Sequence, residues 1–174
     1  MFTQRRSIRR YKNDPVDDAK LEKVLEAARW APSWANTQCT ELVVIKDTTI
    51  KKQLSEILSK KNPATLAVEN APIVLAVCGK LGTSGFYSGK ALTKFGDWYL
   101  YDLGLSTQNI CMAAHEQGLG TVIVGAFDHD KARDILRVPA SHEVVALLPL
   151  GYPDHEPPAP KRKSLEEFVH NDTF

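Results

Sequence analysis

One stretch constrains this chain more than any other: residues 95–117, FGDWYLYDLGLSTQNICMAAHEQ. As a helix it places apolar side chains on nearly every side, so other elements must surround it. Asp102, Gln108 and Asn109, with Gly104 among them, make it too polar for a membrane span, and a buried helix is expected. A chain of 174 residues has little material to cover every face of such a helix. Dimerisation is therefore expected.

The flanking sequence supplies the partners. Residues 72–78, PIVLAVC, are apolar on both faces and read as a central strand. Residues 42–45, 121–124 and 144–150 read as three further strands. Asp17 caps a helix whose apolar face is Leu21, Val24, Leu25 and Ala28, and Pro32 stops it. Shorter helices are expected over 49–60, 64–70 and 130–136. Residues 79–89, rich in glycine, read as the least ordered part. After Gly151 the segment YPDHEPPAPKRK holds four prolines, so it is extended and no central strand. Ser164 and Glu167 then form a capping box for a last short helix. Ten extended residues reach roughly 30 Å, far enough to dock on this domain or on a second copy. These elements define an α+β sandwich in a single domain, residues 1–174, with 151–174 as a reaching tail.

Composition narrows the function. The chain is 43% hydrophobic and 25% charged with a net charge of +1, which is ordinary for a soluble globular protein and gives no reason to expect nucleic acid or membrane as a partner. Three scattered cysteines without a CxxC read as reduced, buried thiols in a cytoplasmic protein. Five scattered histidines lack metal-ligand spacing, so no metal is expected. The basic start is not followed by an apolar segment, so no secretory leader is expected.

Two tempting motifs fail on context. GLGTVIVG, residues 118–125, contains G-x-G, but a helix leads in and a strand leads out, the reverse of a dinucleotide-binding fingerprint. GFYSGKA, residues 85–91, has three residues between its glycines where a P-loop needs four, and Ala91 offers magnesium no hydroxyl. The acidic pairs Asp17–Asp18 and Glu166–Glu167 sit at helix starts, where capping explains them.

The charge that does stand out is at the front. The first 12 residues carry five positive charges and no acid, four of them Arg5, Arg6, Arg9 and Arg10. Such a cluster is either a solvated basic arm or an anion site. Guanidinium forks suit phosphate, Ser7 adds a hydroxyl donor, and Lys161-Arg162-Lys163 forms a second cluster that a folded-back tail can bring alongside.

Four stretches, in order, carry a resemblance: RRSIRRY, AARWAPSWANTQ, YLYDLGLSTQNICMAAHEQGLGTVIVGAF and PKRKSLEEFVH. Together they resemble the nitroreductase family of flavoproteins over nearly the whole chain. The resemblance implies a central, mostly antiparallel sheet surrounded by helices. It also implies an obligate, domain-swapped homodimer with FMN at the interface and tails exchanged between subunits. The implied activity is an FMN-dependent oxidoreductase that takes hydride from NAD(P)H and passes it to a small-molecule acceptor, a nitroaromatic or quinone, by a ping-pong mechanism.

Residue by residue, the resemblance assigns Arg5, Arg6, Ser7 and Arg9 to the N-terminal FMN-binding motif. Arg5 and Ser7 fall at the phosphate or ribityl chain and Arg9 at the pyrimidine edge. Pro32, Ser33 and Asn36 match a P-S-x-x-N loop that reaches the flavin from the partner subunit. Gly125 and Ala126 match the segment whose backbone N–H approaches flavin N5. Lys161 and Arg162 match a phosphate-binding region whose register leaves Lys163 an equal candidate. No side-chain catalytic group is implied, because the cofactor carries the redox chemistry. The chain departs from the family where Cys39-Thr40 follows Gln38 and where residues 79–95 are too few for a large substrate cover, so a more open pocket is expected. The alternatives are a specialised member that fragments flavin or dehalogenates, or a non-enzymatic anion- or nucleic-acid-binding module.

Overall fold

The computed structural model describes residues 2–174, and Met1 lies outside the described residues. Its frame is a four-stranded antiparallel sheet of β1 (Thr40–Ile45), β2 (Ile73–Lys80), β5 (Gly120–Thr121) and β6 (His142–Gly151), in the order β1-β2-β6-β5. As expected from its unbroken apolar run, β2 is central, and every residue from Ile73 to Gly79 is buried. Helices α1 (Asp18–Arg29) and α4 (Tyr99–Glu116) cover one face, where Leu75, Val77, Leu148 and Leu150 meet Val24, Leu103 and Ile110. Helices α2 (Thr48–Glu56), α3 (Thr65–Asn70) and α5 (His129–Leu136) cover the other, around Val74, Ala76 and Leu147. A bulge at Val145 shifts the register between Val77–Ala146 and Cys78–Val144, which turns Val144 to this second face. Among the described residues, no helix is long and apolar enough to cross a membrane.

Local chemistry explains most boundaries. Asp17 accepts from the amides of Ala19 and Lys20, at 2.8 and 3.3 Å, and starts α1. Asp47 and Asp128 do the same for α2 and α5. Gly118, at φ 73°, closes α4, and Lys20 Nζ caps that end by donating to the Gln117 carbonyl at 3.0 Å.

Four expectations are corrected. The helix expected over 49–60 ends at Glu56, because the backbone beyond it pairs elsewhere: the Asp128 amide donates to Ile57 O and the Ser59 amide to Ala126 O, both at 3.0 Å. The strand expected over 121–124 is only Gly120–Thr121 plus an isolated bridge at Val124–Leu147. Its register would set Val122 against Pro149, which has no N–H to donate. The segment 79–89 leads into a hairpin of β3 (Phe86–Tyr87) and β4 (Lys90–Ala91), turned by Ser88 and Gly89 at φ 49° and 75°. The long helix begins at Tyr99 and is not enclosed on all sides within one chain, since Leu100, Tyr101, Gly104 and Gln108 are exposed along one stripe.

The two chain ends meet beside this sheet. The amide of Ile8 donates to Thr121 O at 2.9 Å, which lays Ser7 parallel to β5. The amide of Lys12 donates to Tyr152 O and that of Asp154 to Arg10 O, at 2.9 and 3.0 Å. The last residues form a 3₁₀ turn, Leu165–Glu167, with the expected capping box.

Candidate functional site

The arginine segment is held rigidly. Ile8 is buried, and Tyr11 OH lies 2.7 Å from Ile8 O and 3.1 Å from Pro149 O, so its proton is shared between the segment and β6. Burial pushes the Tyr11 phenol above its ordinary range, which keeps it a donor at any physiological pH. Against β5, Gly120 leaves no room for a side chain: a Cβ there would lie 2.6 Å from Ile8 Cγ1.

A cavity of about 270 Å³ opens where this segment faces the tail. Arg5, Arg6, Ser7 and Arg9 line one side, and Pro157, Pro158, Pro160 and Arg162 the other. Arg6 is partly engaged, since its Nη1 donates to Thr3 O and Arg5 O at 2.7 and 2.9 Å. Among the described residues, none of the four guanidiniums has a carboxylate within 4.0 Å. Arg5, Arg6 and Ser7 are half-buried, so the cluster carries a repulsion that an anion relieves. The donor set fits a phosphate.

Of the residues assigned by resemblance, the structure brings together Arg5, Arg6, Ser7, Arg9 and Arg162. Lys161 and Lys163 are exposed and do not line the cavity. Pro32 and Ser33 line a separate groove with Ala28, Arg29 and Gln38, and Asn36 is exposed nearby. The loop they form is strained, with Ala35, Asn36 and Gln38 at φ 44°, 57° and 51°. Ser33 Oγ accepts the Gln38 amide at 2.9 Å, and the buried Asp102 accepts the Trp34 amide with both oxygens, at 3.0 and 3.1 Å. Gly125 and Ala126 lie on the surface, four and five residues beyond Thr121. Ala126 O accepts from the Ser59 amide at 3.0 Å and Asn62 Nδ2 at 3.3 Å, which fixes the segment. Among the described residues, neither Gly125 N–H nor Ala126 N–H has a protein acceptor, and the space in front of Gly125 is open.

Sequence reasoning missed Tyr11, Ser59, Asn62 and Asp102. Tyr11 closes the RRSIRRY motif, so its place beside the arginines was a signal. The others act across long sequence gaps (Asp102 to Trp34, and Ser59 and Asn62 to Ala126, each more than 60 residues) and left none.

The cysteines are buried thiols, as expected. Burial, with help from the neighbouring Asp102 carboxylate, pushes Cys39 up to about 12, and burial pushes Cys78 up to about 11. An unfolded thiol ionises near 9.0, so above that pH the unfolded chain has released protons that the native chain keeps. The thiols' contribution to stability is fully present below pH 9 and is lost as pH rises toward 11 and 12. Thermal melts at pH 8, 9.5 and 11 are expected to show a steadily falling Tm.

These features define an α+β sandwich whose chain ends meet over an arginine-lined cavity. The chain belongs to the nitroreductase family: residues 2–152 match the profile described as "Nitroreductase family". It is similar to an NADH dehydrogenase of Thermus thermophilus, 31% identical over 95% of this chain and 91% of the relative. Among solved structures it is similar to a nitroreductase family protein from Clostridium novyi NT (31% identity, TM-score 0.78, 87% of this chain and 84% of that one). It is also similar to an FMN-dependent nitroreductase from Clostridium difficile R20291 (26% identity, TM-score 0.82, 99% and 97%).

Proposed function

We propose that this chain is an FMN-dependent oxidoreductase that takes hydride from NAD(P)H and passes reducing equivalents to a planar acceptor such as a nitroaromatic or quinone. The observation that carries the reading is the cavity ringed by Arg5, Arg6, Arg9 and Arg162 without a carboxylate partner. Arg5, Arg162 and Ser7 would hold the phosphate, with Arg6 and Lys161 adding to the field. Arg9 would place a fixed cation at the pyrimidine edge of the ring, where reduction accumulates negative charge. The free amides of Gly125 and Ala126 would orient the reacting edge. When bound, FMN supplies the two-electron chemistry that no side chain here performs.

The working unit in this reading is a homodimer. The exposed stripe on α4 offers a face for a second copy. Leu165, Phe168 and Val169 of the tail are 67%, 57% and 48% exposed, and a groove of Leu25, Ala28, Leu42 and Val44 lies open beside β1 to receive a partner's tail. Exchange of tails would carry Pro32, Ser33 and Asn36 of one chain toward the FMN of the other. Trp34 travels with that loop, and its ring packs on Trp98 at 4.9 Å, with Tyr101 and Phe95 beyond. The rings meet tilted or edge-on, and the exposed faces of Phe95 and Tyr101 offer apolar surface on which a planar acceptor can stack. Donor and acceptor taking turns in one pocket gives ping-pong kinetics. The buried, reduced thiols agree with a cytoplasmic site of action.

The purified protein is expected to be a yellow dimer whose flavin absorption bleaches with NADH or NADPH under nitrogen and returns on adding a quinone. A colourless monomer that ignores saturating FMN would end the reading.

A further inference from the structure

The geometry points to Asp102 as a positioning residue whose buried carboxylate holds the Trp34–Gln38 loop in its strained conformation and ties that loop to the hairpin segment before α4. Its bearing on FMN rests on the reading that this loop reaches the cofactor.

Asp102 is 2% exposed, yet among the described residues no cation lies within 4.0 Å of it. A buried carboxylate without a cation needs a full set of donors. Asp102 collects them from both ends of the 34–39 run and from Ser84 before α4. The Trp34 amide donates to both oxygens, Ser84 Oγ donates to Oδ2 at 2.7 Å, and Cys39 Sγ lies 3.4 Å from Oδ2. Its position in the first turn of α4 adds the positive end of the helix. The carboxylate is thus fixed by α4 and fixes everything else.

The loop needs such an anchor. Ala35, Asn36 and Gln38 all have left-handed backbones, which non-glycine residues adopt only when the surroundings over-determine them. Inside the loop, the Asn36, Thr37 and Gln38 amides bond back to Ser33 and Trp34. These bonds close the turn on itself but do not attach it to the body. The Trp34 amide supplies the attachment, at the point where the strained run begins. Ser84 extends the same tie to residues 84–98, since the Trp98 amide donates to Ser84 O at 3.0 Å. Trp98 in turn packs on Trp34. Loop, hairpin and helix start therefore share one joint.

The test is amide hydrogen exchange resolved by residue, with FMN titration of the apoprotein beside it. In the wild-type chain the Trp34 amide is expected to exchange at least a hundredfold more slowly than the Ala35 amide, which has no protein acceptor. Equal rates would overturn the proposal, and this measurement needs no variant to fold. In Asp102→Asn, which keeps the size but presents an amide donor to the same donors, Trp34 and residues 36–38 are expected to lose at least tenfold protection while Ile110–Ala114 keep theirs. In Ser84→Ala the loop is expected to stay at wild-type rates, since the Trp34 bonds remain. Loss spread evenly over α1 and α4 in Asp102→Asn, or equal opening of the loop in both variants, would show general destabilisation and overturn the idea. The Kd for FMN is expected to rise about tenfold in Asp102→Asn only. If wild-type protein fails to bind FMN, the functional reading falls, and the exchange data still judge Asp102.

Discussion

Arg5→Ala is expected to raise the Kd for FMN roughly ten- to a hundredfold with little change in Tm. A charge-assisted hydrogen bond contributes roughly 1.5–3 kcal/mol, and each 1.4 kcal/mol is about tenfold in affinity. Arg5 is half-buried on the cavity wall with no carboxylate to compensate it, so an anion gains that interaction in full. Its removal also relieves repulsion among Arg5, Arg6, Arg9 and Arg162, which is why folding should not suffer. Arg10 gives the contrast: it is exposed and outside the cavity, so Arg10→Ala should shift the Kd by less than about threefold, the screened long-range part. Fluorescence titration of apoprotein at fixed salt measures both. An unchanged Kd in Arg5→Ala would remove Arg5 from the phosphate site.

Gly120→Ala should damage both fold and site. The added Cβ would lie 2.6 Å from Ile8 Cγ1 and 2.7 Å from Ile8 Cβ. A rotamer change cannot move a Cβ, so segment 5–9 must withdraw from β5 and weaken the 2.9 Å bond between the Ile8 amide and Thr121 O. Overpacking of this kind costs about 1–3 kcal/mol, which for a chain of this size is a Tm loss of roughly 2–12 °C. Because Arg5, Arg6 and Arg9 ride on the displaced segment, FMN affinity should fall at least about tenfold as well. Paired melts and titrations check this, and a Tm loss without any loss of affinity would mean that the segment adapts without moving its arginines.

The sheet was legible because burial writes itself into composition. Residues 72–78 had no polar side to expose, and the α1 cap and apolar stripe marked their own helix. What the sequence hid was tertiary. The strand expected over 121–124 fails at Pro149, a residue from the opposite strand, and α2 stops early because residues 57–59 pair with 126–128. In the site, the arginines announced themselves by charge density, but register did not: in an extended tail successive side chains face opposite ways, so only contact geometry separates Arg162 from Lys161 and Lys163. Asp102 read as one polar residue in an apolar helix, a mark against a membrane span. Its partners at Trp34 and Ser84 are distant in sequence.

The pairing of residues 10–12 with 152–154 brings together two walls from opposite ends of the chain. The arginines precede the strand that aligns them, β5, and the tail that faces them by more than 100 residues. Without the 152–162 segment the positive cluster would stand open to solvent, since Pro157, Pro158, Pro160 and Arg162 form the facing wall of its cavity. In the proposed reading, a chain cut before residue 157 is therefore expected to lose FMN even if its sheet folds.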